Sequence, residues 1–174
     1  MNSKNILYAL ACLSFSIVIG GAVYEHLAVV PQWSAAPPLS LSMFQGEYKL
    51  DAGAFWKLIH PVTLLFIISN LVIFWKTERR KNLLFTLAGY GTILLLTAMY
   101  FVPELMDITG TSFSQAIDAS LTKRAALWEL LSILRLCVLI ILAMSLFLGL
   151  TKGSIQSDKI AHYSRAEHAT VNSL

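Results

Sequence analysis

Charge is what this sequence has least of. Only 13% of its 174 residues are Asp, Glu, Lys or Arg, about half of the roughly 25% usual for a soluble domain. With 56% hydrophobic residues and a mean hydropathy of +0.66, the chain is too apolar for water. A bilayer is the solvent that fits it. Cysteine is also scarce: Cys12 and Cys137 both fall inside apolar runs, so no disulfide framework is implied, and both read as buried thiols acting as small hydrophobes. The net charge of +3 is small and the Lys and Arg are scattered, which excludes a nucleic-acid surface. No internal repeat is visible, so the inverted-repeat architecture of many transporters is not indicated.

What is present is four apolar stretches long enough to cross about 30 Å of hydrocarbon: residues 6–30, 54–75, 83–102 and 125–150. The expected fold is therefore all-α, an integral membrane four-helix bundle filling residues 1–152, with residues 153–174 as a cytoplasmic tail. The run that starts at Ile6 continues past Cys12 to Tyr24 and beyond. It is too long for a signal-peptide core and reads as a retained first span. Lys76, Arg79, Arg80 and Lys81 crowd the loop between the second and third spans, and Lys4, Lys152, Lys159 and Arg165 fall on the same side. The positive-inside rule then places that loop and both termini in the cytoplasm of a bacterial-type inner membrane.

The outer side receives two connectors, residues 32–53 and 103–124. In the second, Ser112 as a cap and Phe113, Ile117 and Leu121 spaced four apart predict a short amphipathic surface helix. Trp33, Trp56, Tyr100 and Trp128 at the outer span ends, with Tyr8 and Trp75 at the inner ends, read as interfacial anchors. Pro61 inside the second span removes the donor for the carbonyl of Lys57, predicting a bend and a polar spot beside His60 in a helix starting near Ala54. Gly20, Gly21, Gly89 and Gly91 offer places for close helix approach.

Ionisable residues at membrane depth are the functional candidates: Glu25, His26, Lys57, His60, Glu129 and Arg135, with Glu104 and Asp107 just outside. Counted from the outer helix boundaries, His26, His60 and Glu129 lie at one level. Imidazole and carboxylate on three helices suit either a metal or haem site or a metal-free acid–base pocket. The bland alternative is that both histidines satisfy local partners near the headgroups. Arg135, near the bilayer centre, should face inward beside Ser132 and Trp128, with Glu25 as the expected acceptor, because lipid exposure costs from about 2.5 kcal/mol upward.

A first span ending at Pro31, Phe55-Trp56 opening the second, Val102-Pro103 closing the third, and Trp128 followed by Leu134-Arg135 in the fourth resemble the anthrone oxygenase-like family of small four-pass membrane proteins. Where members of that family often carry asparagines, this chain has Phe101, Leu105 and Ser132. The resemblance implies the four-pass fold and topology, and with it a small hydrophobic molecule bound or oxidised in an outer-side pocket; the depth and chemistry of the ionisable residues give His26, His60 and Glu129 as catalytic candidates and Glu25, Trp128 and Arg135 as substrate-binding ones. The alternative role is a non-catalytic accessory or assembly subunit, acting as a homo-oligomer or through a membrane partner protein at glycine-lined helix faces.

Overall fold

The computed structural model describes the backbone of residues 3–171 and the side chains of residues 3–152. Its elements run α1 (Ser3–Tyr24), a π-helical turn (Glu25–Val29), α2 (Val30–Ser34), a 3-10 turn (Leu39–Phe44), α3 (Ala52–Ile73), α4 (Arg79–Leu96), a second π-helical turn (Thr97–Phe101), α5 (Val102–Thr109) and α6 (Ala119–Val171). Four continuous stretches, Ser3–Ser34, Ala52–Ile73, Arg79–Thr109 and Ala119–Lys152, are long and apolar enough to cross a membrane. The chain is an all-α four-helix bundle; the first, third and fourth spans reach further than the apolar count alone suggested, and the second has the expected length, shifted by two residues. The backbone of α6 continues to Val171, so the segment expected as a tail is helical, while its side chains, His162 and His168 included, lie outside the described residues.

Helix periodicity selects the inward faces. On α1 the buried residues are Tyr8, Ala11, Cys12, Phe15, Val18 and Ala22, the three-and-four spacing of one stripe. On α6 Ala125, Trp128, Ser132, Leu139, Leu142, Ala143 and Leu146 repeat it. The opposite faces are equally apolar, as Leu13, Leu65, Val72, Ile141 and Leu148 show; lipid, not water, is what they suit. α1 packs on α3 and α6, and α4 packs on α6 and α3. Two of the four expected glycine approaches are made: a Cβ on Gly21 would strike Phe55 and Trp56, and one on Gly89 would strike Leu142, whereas Gly20 and Gly91 face open space.

The interior divides into two apolar clusters. One holds Tyr8, Phe15, Ile67, Leu83, Tyr90 and Leu146 among others, towards the end carrying the 76–81 loop. The second, at the far end, is built from Val30, Trp33, Leu41, Phe101, Ile108, Leu121, Ala125 and Trp128. Trp33 and Trp128 are therefore core residues, 1% and 4% exposed and edge-to-face at 5.5 Å, not interfacial anchors; Tyr8 is likewise fully buried, and only Trp75 keeps an exposed position at its end. Each tryptophan had apolar partners on a neighbouring span, which a one-dimensional count of depth cannot register.

Two further expectations are corrected. Residues 112–118 form no helix, Phe113 and Ile117 are exposed, and Leu121 is buried as part of α6. The carboxylate of Asp118 caps α6 instead, accepting from the backbone N–H groups of Ser120 and Leu121 at 2.7 and 3.2 Å. The short helical element sits in the other connector, where Leu39–Phe44 drives Leu41 into the far cluster. Cys137 is exposed on the lipid face, unlike Cys12, which is buried. Pro61 lies within α3, which begins at Ala52 and stays α-helical through it; the π-helical turns occur before the two other prolines inside spans, Pro31 and Pro103. Each π turn ends one residue before a Val-Pro pair, with Val30 N–H bonded to Glu25 O and Val102 N–H to Thr97 O. A proline crowds the carbonyl four residues back and offers no donor, and one extra residue in the turn before Pro31 and Pro103 accommodates it.

Candidate functional site

The two π turns fall between the apolar clusters, and the polar side chains of the membrane interior gather there. Glu25 opens the first π turn and Thr97 the second. The indole N–H of Trp56, from α3, donates to Glu25 Oε1 at 2.8 Å. Gly21 makes this approach feasible, because any side chain there would occupy the space of the Phe55 and Trp56 rings. One turn along α3, His60 stacks on Trp56 with centroids 5.1 Å apart and planes at 21°. His60 Nδ1 and Tyr90 Oη share a hydrogen bond of 2.7 Å, reaching α4. A carboxylate, an indole, an imidazole and a phenol thus form a continuous chain across three spans.

Arg135 enters from the fourth span. Its guanidinium donates to Thr97 Oγ1 at 3.1 Å and Ser132 Oγ at 2.8 Å, and lies 4.1 Å from the centroid of the Phe101 ring. Thr97 in turn donates to Ile93 O at 2.7 Å. Trp128, one turn before Ser132, donates its indole N–H to Phe101 O at 2.9 Å, fixing α6 against the second π turn. The inward orientation expected of Arg135 is present, but its expected acceptor is not. No ion pair joins it to Glu25, whose Oε1 is held by Trp56; the two charges interact only at longer range, and Arg135 similarly faces His60. The hydroxyls of Thr97 and Ser132 reach it first because they come from its own level, while Glu25 is turned towards α3.

The His26, His60 and Glu129 triad does not assemble. His26 Nδ1 donates to Ala22 O at 2.7 Å on its own helix; a carbonyl can only accept, so the proton is on Nδ1 and the sealed Nε2 has no partner. Glu129 Oε2 accepts from Ser34 Oγ at 3.0 Å, tying α6 to α2. Among the described residues no three His, Cys, Asp or Glu side chains lie close enough together to hold a metal ion. Equal depth did not become proximity, because rotation about each helix axis sends the three side chains to different neighbours. Glu104 and Asp107, expected near the pocket rim, both pair with Arg124, at 2.7 and 2.6 Å.

Sequence reasoning found Glu25, His60, Trp128 and Arg135, but missed Tyr90, Thr97 and the polar role of Trp56. Tyr90 and Thr97 are seven apart, one face of a helix, and that periodicity beside Gly89 was the available signal. The hydrogen bonds of this layer engage Glu25 Oε1, His60 Nδ1 and the two terminal nitrogens of Arg135; the second carboxylate oxygen, the second imidazole nitrogen and the guanidinium Nε are the atoms with capacity for a further partner. Family models, curated proteins and solved structures were all compared with this chain, and none matches.

Proposed function

We propose that this multi-pass membrane protein binds a small hydrophobic molecule in the polar layer between its two apolar clusters, and acts on it there. The observation that carries the reading is Arg135: a guanidinium inside a membrane bundle, held by two hydroxyls and one ring, with donors left over beside an open imidazole nitrogen and an open carboxylate oxygen. Ionisable groups at this depth are costly and are kept where they serve a ligand path or a reaction. π turns accumulate at such places for the same reason, and here both of them border the layer.

The resemblance to anthrone oxygenase-like proteins supports the same location. Of the residues that carry it, Trp56 and Arg135 line the layer and Trp128 fixes its edge. Oxidation of the bound molecule, with molecular oxygen as the oxidant and electron acceptor, is the reaction class that the resemblance implies; this reading gives His60 the role of proton acceptor and Arg135 that of hydrogen-bond donor to an oxygen of the bound molecule. The concentration of Lys and Arg in the 76–81 loop supports an inner-membrane orientation with that loop and both termini in the cytoplasm.

The test uses the full chain in lipid nanodiscs. Organic extraction and mass spectrometry should recover a hydrophobic molecule from wild type, and Arg135→Leu and His60→Ala should each lower its occupancy at least tenfold while the variants keep their helicity. Equal recovery from all three would remove the site. A second reading rests on Gly20 and Gly91, which meet no atom of the chain: as an accessory subunit, the protein would dock another helix there. Cross-linking from those positions to a different membrane protein, with nothing recovered from the polar layer, would favour it.

A further inference from the structure

The connector between α3 and α4 is short and turns twice. Thr77 N–H donates to Phe74 O at 3.0 Å and Arg80 N–H to Thr77 O at 3.1 Å, while the Thr77 hydroxyl closes the first turn on Phe74 O at 2.9 Å. These turns bring the end of one span against the start of the next. Trp75 lies two residues past the second span and Arg80 is the second residue of the third, and the Arg80 guanidinium sits over the Trp75 indole, 5.4 Å from its centroid. Arg79 turns into the bundle, donating to Asn5 Oδ1 and Leu150 O. Lys76 and Lys81 are exposed and Arg80 is half-buried.

Three cations are thereby gathered around one indole without an anion. Among the described residues both ion pairs are made by Arg124, at the other end of the bundle. The side chains of Lys76, Arg80 and Lys81 make no hydrogen bond there, the Trp75 indole N–H has no acceptor, and Glu78, the one acid of the connector, pairs with none of them. α4 opens with no acid in its first turn and no side-chain cap. Arg79, Arg80 and Lys81 therefore crowd the positive end of a helix dipole, an arrangement that an anion relieves.

The surface beside this group is apolar. Back along α3 from Trp75, the exposed residues Val72, Ile68 and Leu65 recur at three and four residues; forward along α4 from Arg80, the exposed Leu84, Ala88 and Leu95 share its face. The two stripes meet at the Trp75–Arg80 pair. A soluble anion has no use for them, whereas a phospholipid carries its phosphodiester at the level of the span ends and its acyl chains along the apolar faces. We propose that the α3–α4 turn binds an anionic glycerophospholipid, with its phosphodiester on the Arg80 guanidinium and the Trp75 N–H, Lys76 and Lys81 flanking it, and its chains on the two stripes. Arginine suits the role because its planar fork, stacked on the indole, presents parallel N–H donors to two phosphate oxygens. This site is separate from the polar layer and stands independently of the small-molecule reading.

The experiment titrates the full chain in maltoside detergent with dioleoylphosphatidylglycerol, or with dioleoylphosphatidylcholine of the same chains, and counts bound lipid by native mass spectrometry. Wild type should hold one phosphatidylglycerol at least tenfold more tightly than phosphatidylcholine. Arg80→Lys keeps the charge but loses the fork, and Trp75→Phe keeps an aromatic ring but loses the N–H. Each should weaken phosphatidylglycerol binding at least threefold with helicity unchanged, whereas Lys123→Gln, which removes an exposed cation at the other end, should have no effect. Unchanged affinity in either Arg80→Lys or Trp75→Phe would overturn the site as drawn and leave only a diffuse attraction to a basic loop. An equal loss in Lys123→Gln would have the same meaning. Equal binding of the two lipids would overturn the choice of an anionic head group. Complete displacement of phosphatidylglycerol by inorganic phosphate would overturn the part given to the apolar stripes and point to a site for the free anion.

Discussion

The end of this bundle that carries the 76–81 loop and the polar layer between its two apolar clusters solve the problem of buried polar groups in different ways. At the end carrying the 76–81 loop, polar side chains bind backbone carbonyls of other spans: Tyr8 Oη donates to Leu146 O, Asn70 Nδ2 to Leu7 O, Asn82 Nδ2 to Ser145 O and Arg79 Nη2 to Leu150 O. Gly149 lets the Tyr8 hydroxyl press onto the α6 backbone. Such contacts clamp one helix to another, and the two atoms there without a partner, Asn70 Oδ1 and Arg79 Nε, are sealed from the surface. In the polar layer Glu25, His60 and Arg135 bond to other side chains, which rotate. Clamps belong to architecture and adjustable networks to ligands, and substitutions should separate the two.

The largest effect should come from Arg79→Leu. Arg79 is 5% exposed, donates to Asn5 Oδ1 at 2.8 Å and Leu150 O at 3.1 Å, and lies over the Phe74 ring at 4.7 Å and the Tyr8 ring at 5.2 Å. Hydrogen bonds to charged groups contribute about 1.5–3 kcal/mol each, and leucine keeps part of the packing, so a loss of about 3 kcal/mol is expected. Unfolding with increasing sodium dodecyl sulfate measures it. Ligand occupancy per folded molecule should not change. A variant that folds as well as wild type but loses the ligand would reverse the roles assigned to the two regions.

Trp56→Phe is the counterpart in the polar layer, with a smaller effect on folding. It removes the 2.8 Å donor to Glu25 and keeps an aromatic ring for His60 to stack on. A single such bond contributes about 1.5 kcal/mol or somewhat more, and Glu25 can turn towards the layer instead. Stability should fall by about 1 kcal/mol in the same unfolding assay, while occupancy of the polar layer changes severalfold because Glu25 is freed. A stability loss as large as that of Arg79→Leu, with binding unchanged, would mean that the layer is as architectural as the clamp.

How much of this was legible in the sequence follows the same division. The spans, the all-α class and the inward Arg135 were legible because the cost of exposing charge to lipid acts on each residue by itself. The clamp and the layer were not, since Tyr8, Asn70, Asn82 and Thr97 are ordinary polar residues in an apolar run until a second helix places a carbonyl or guanidinium opposite them. The grouping of His26, His60 and Glu129 failed for a related reason. Depth follows from counting at 1.5 Å per residue, but azimuth depends on packing, and the π turn at Glu25–Val29 rotates everything after it. Trp33 and Trp128 were read as anchors because their packing partners, each other included, come from different spans.

The smallest effect lies outside both regions, at Asp118, where the far connector enters α6. Its carboxylate is held below the usual carboxylate range, first by the Ser120 hydroxyl and then by the backbone N–H groups of Leu121 and Ser120. A carboxyl group whose folded value is depressed contributes stability that is present above its unfolded value, about 3.9, and fades as pH falls through the folded one. Asparagine is also a good N-cap, so Asp118→Asn keeps the cap geometry and removes only the charge. At neutral pH, hydrogen exchange at residues 119–122 should be slightly faster in the variant than in wild type, and the difference should begin to shrink below about pH 4 and vanish only below the depressed folded value, where the wild-type carboxyl protonates. Neither the clamp nor occupancy of the polar layer should respond. A variant that altered ligand occupancy would show instead that the cap of α6 is coupled, through Leu121 and Ala125 in the far cluster, to the position of Arg135 on the same helix.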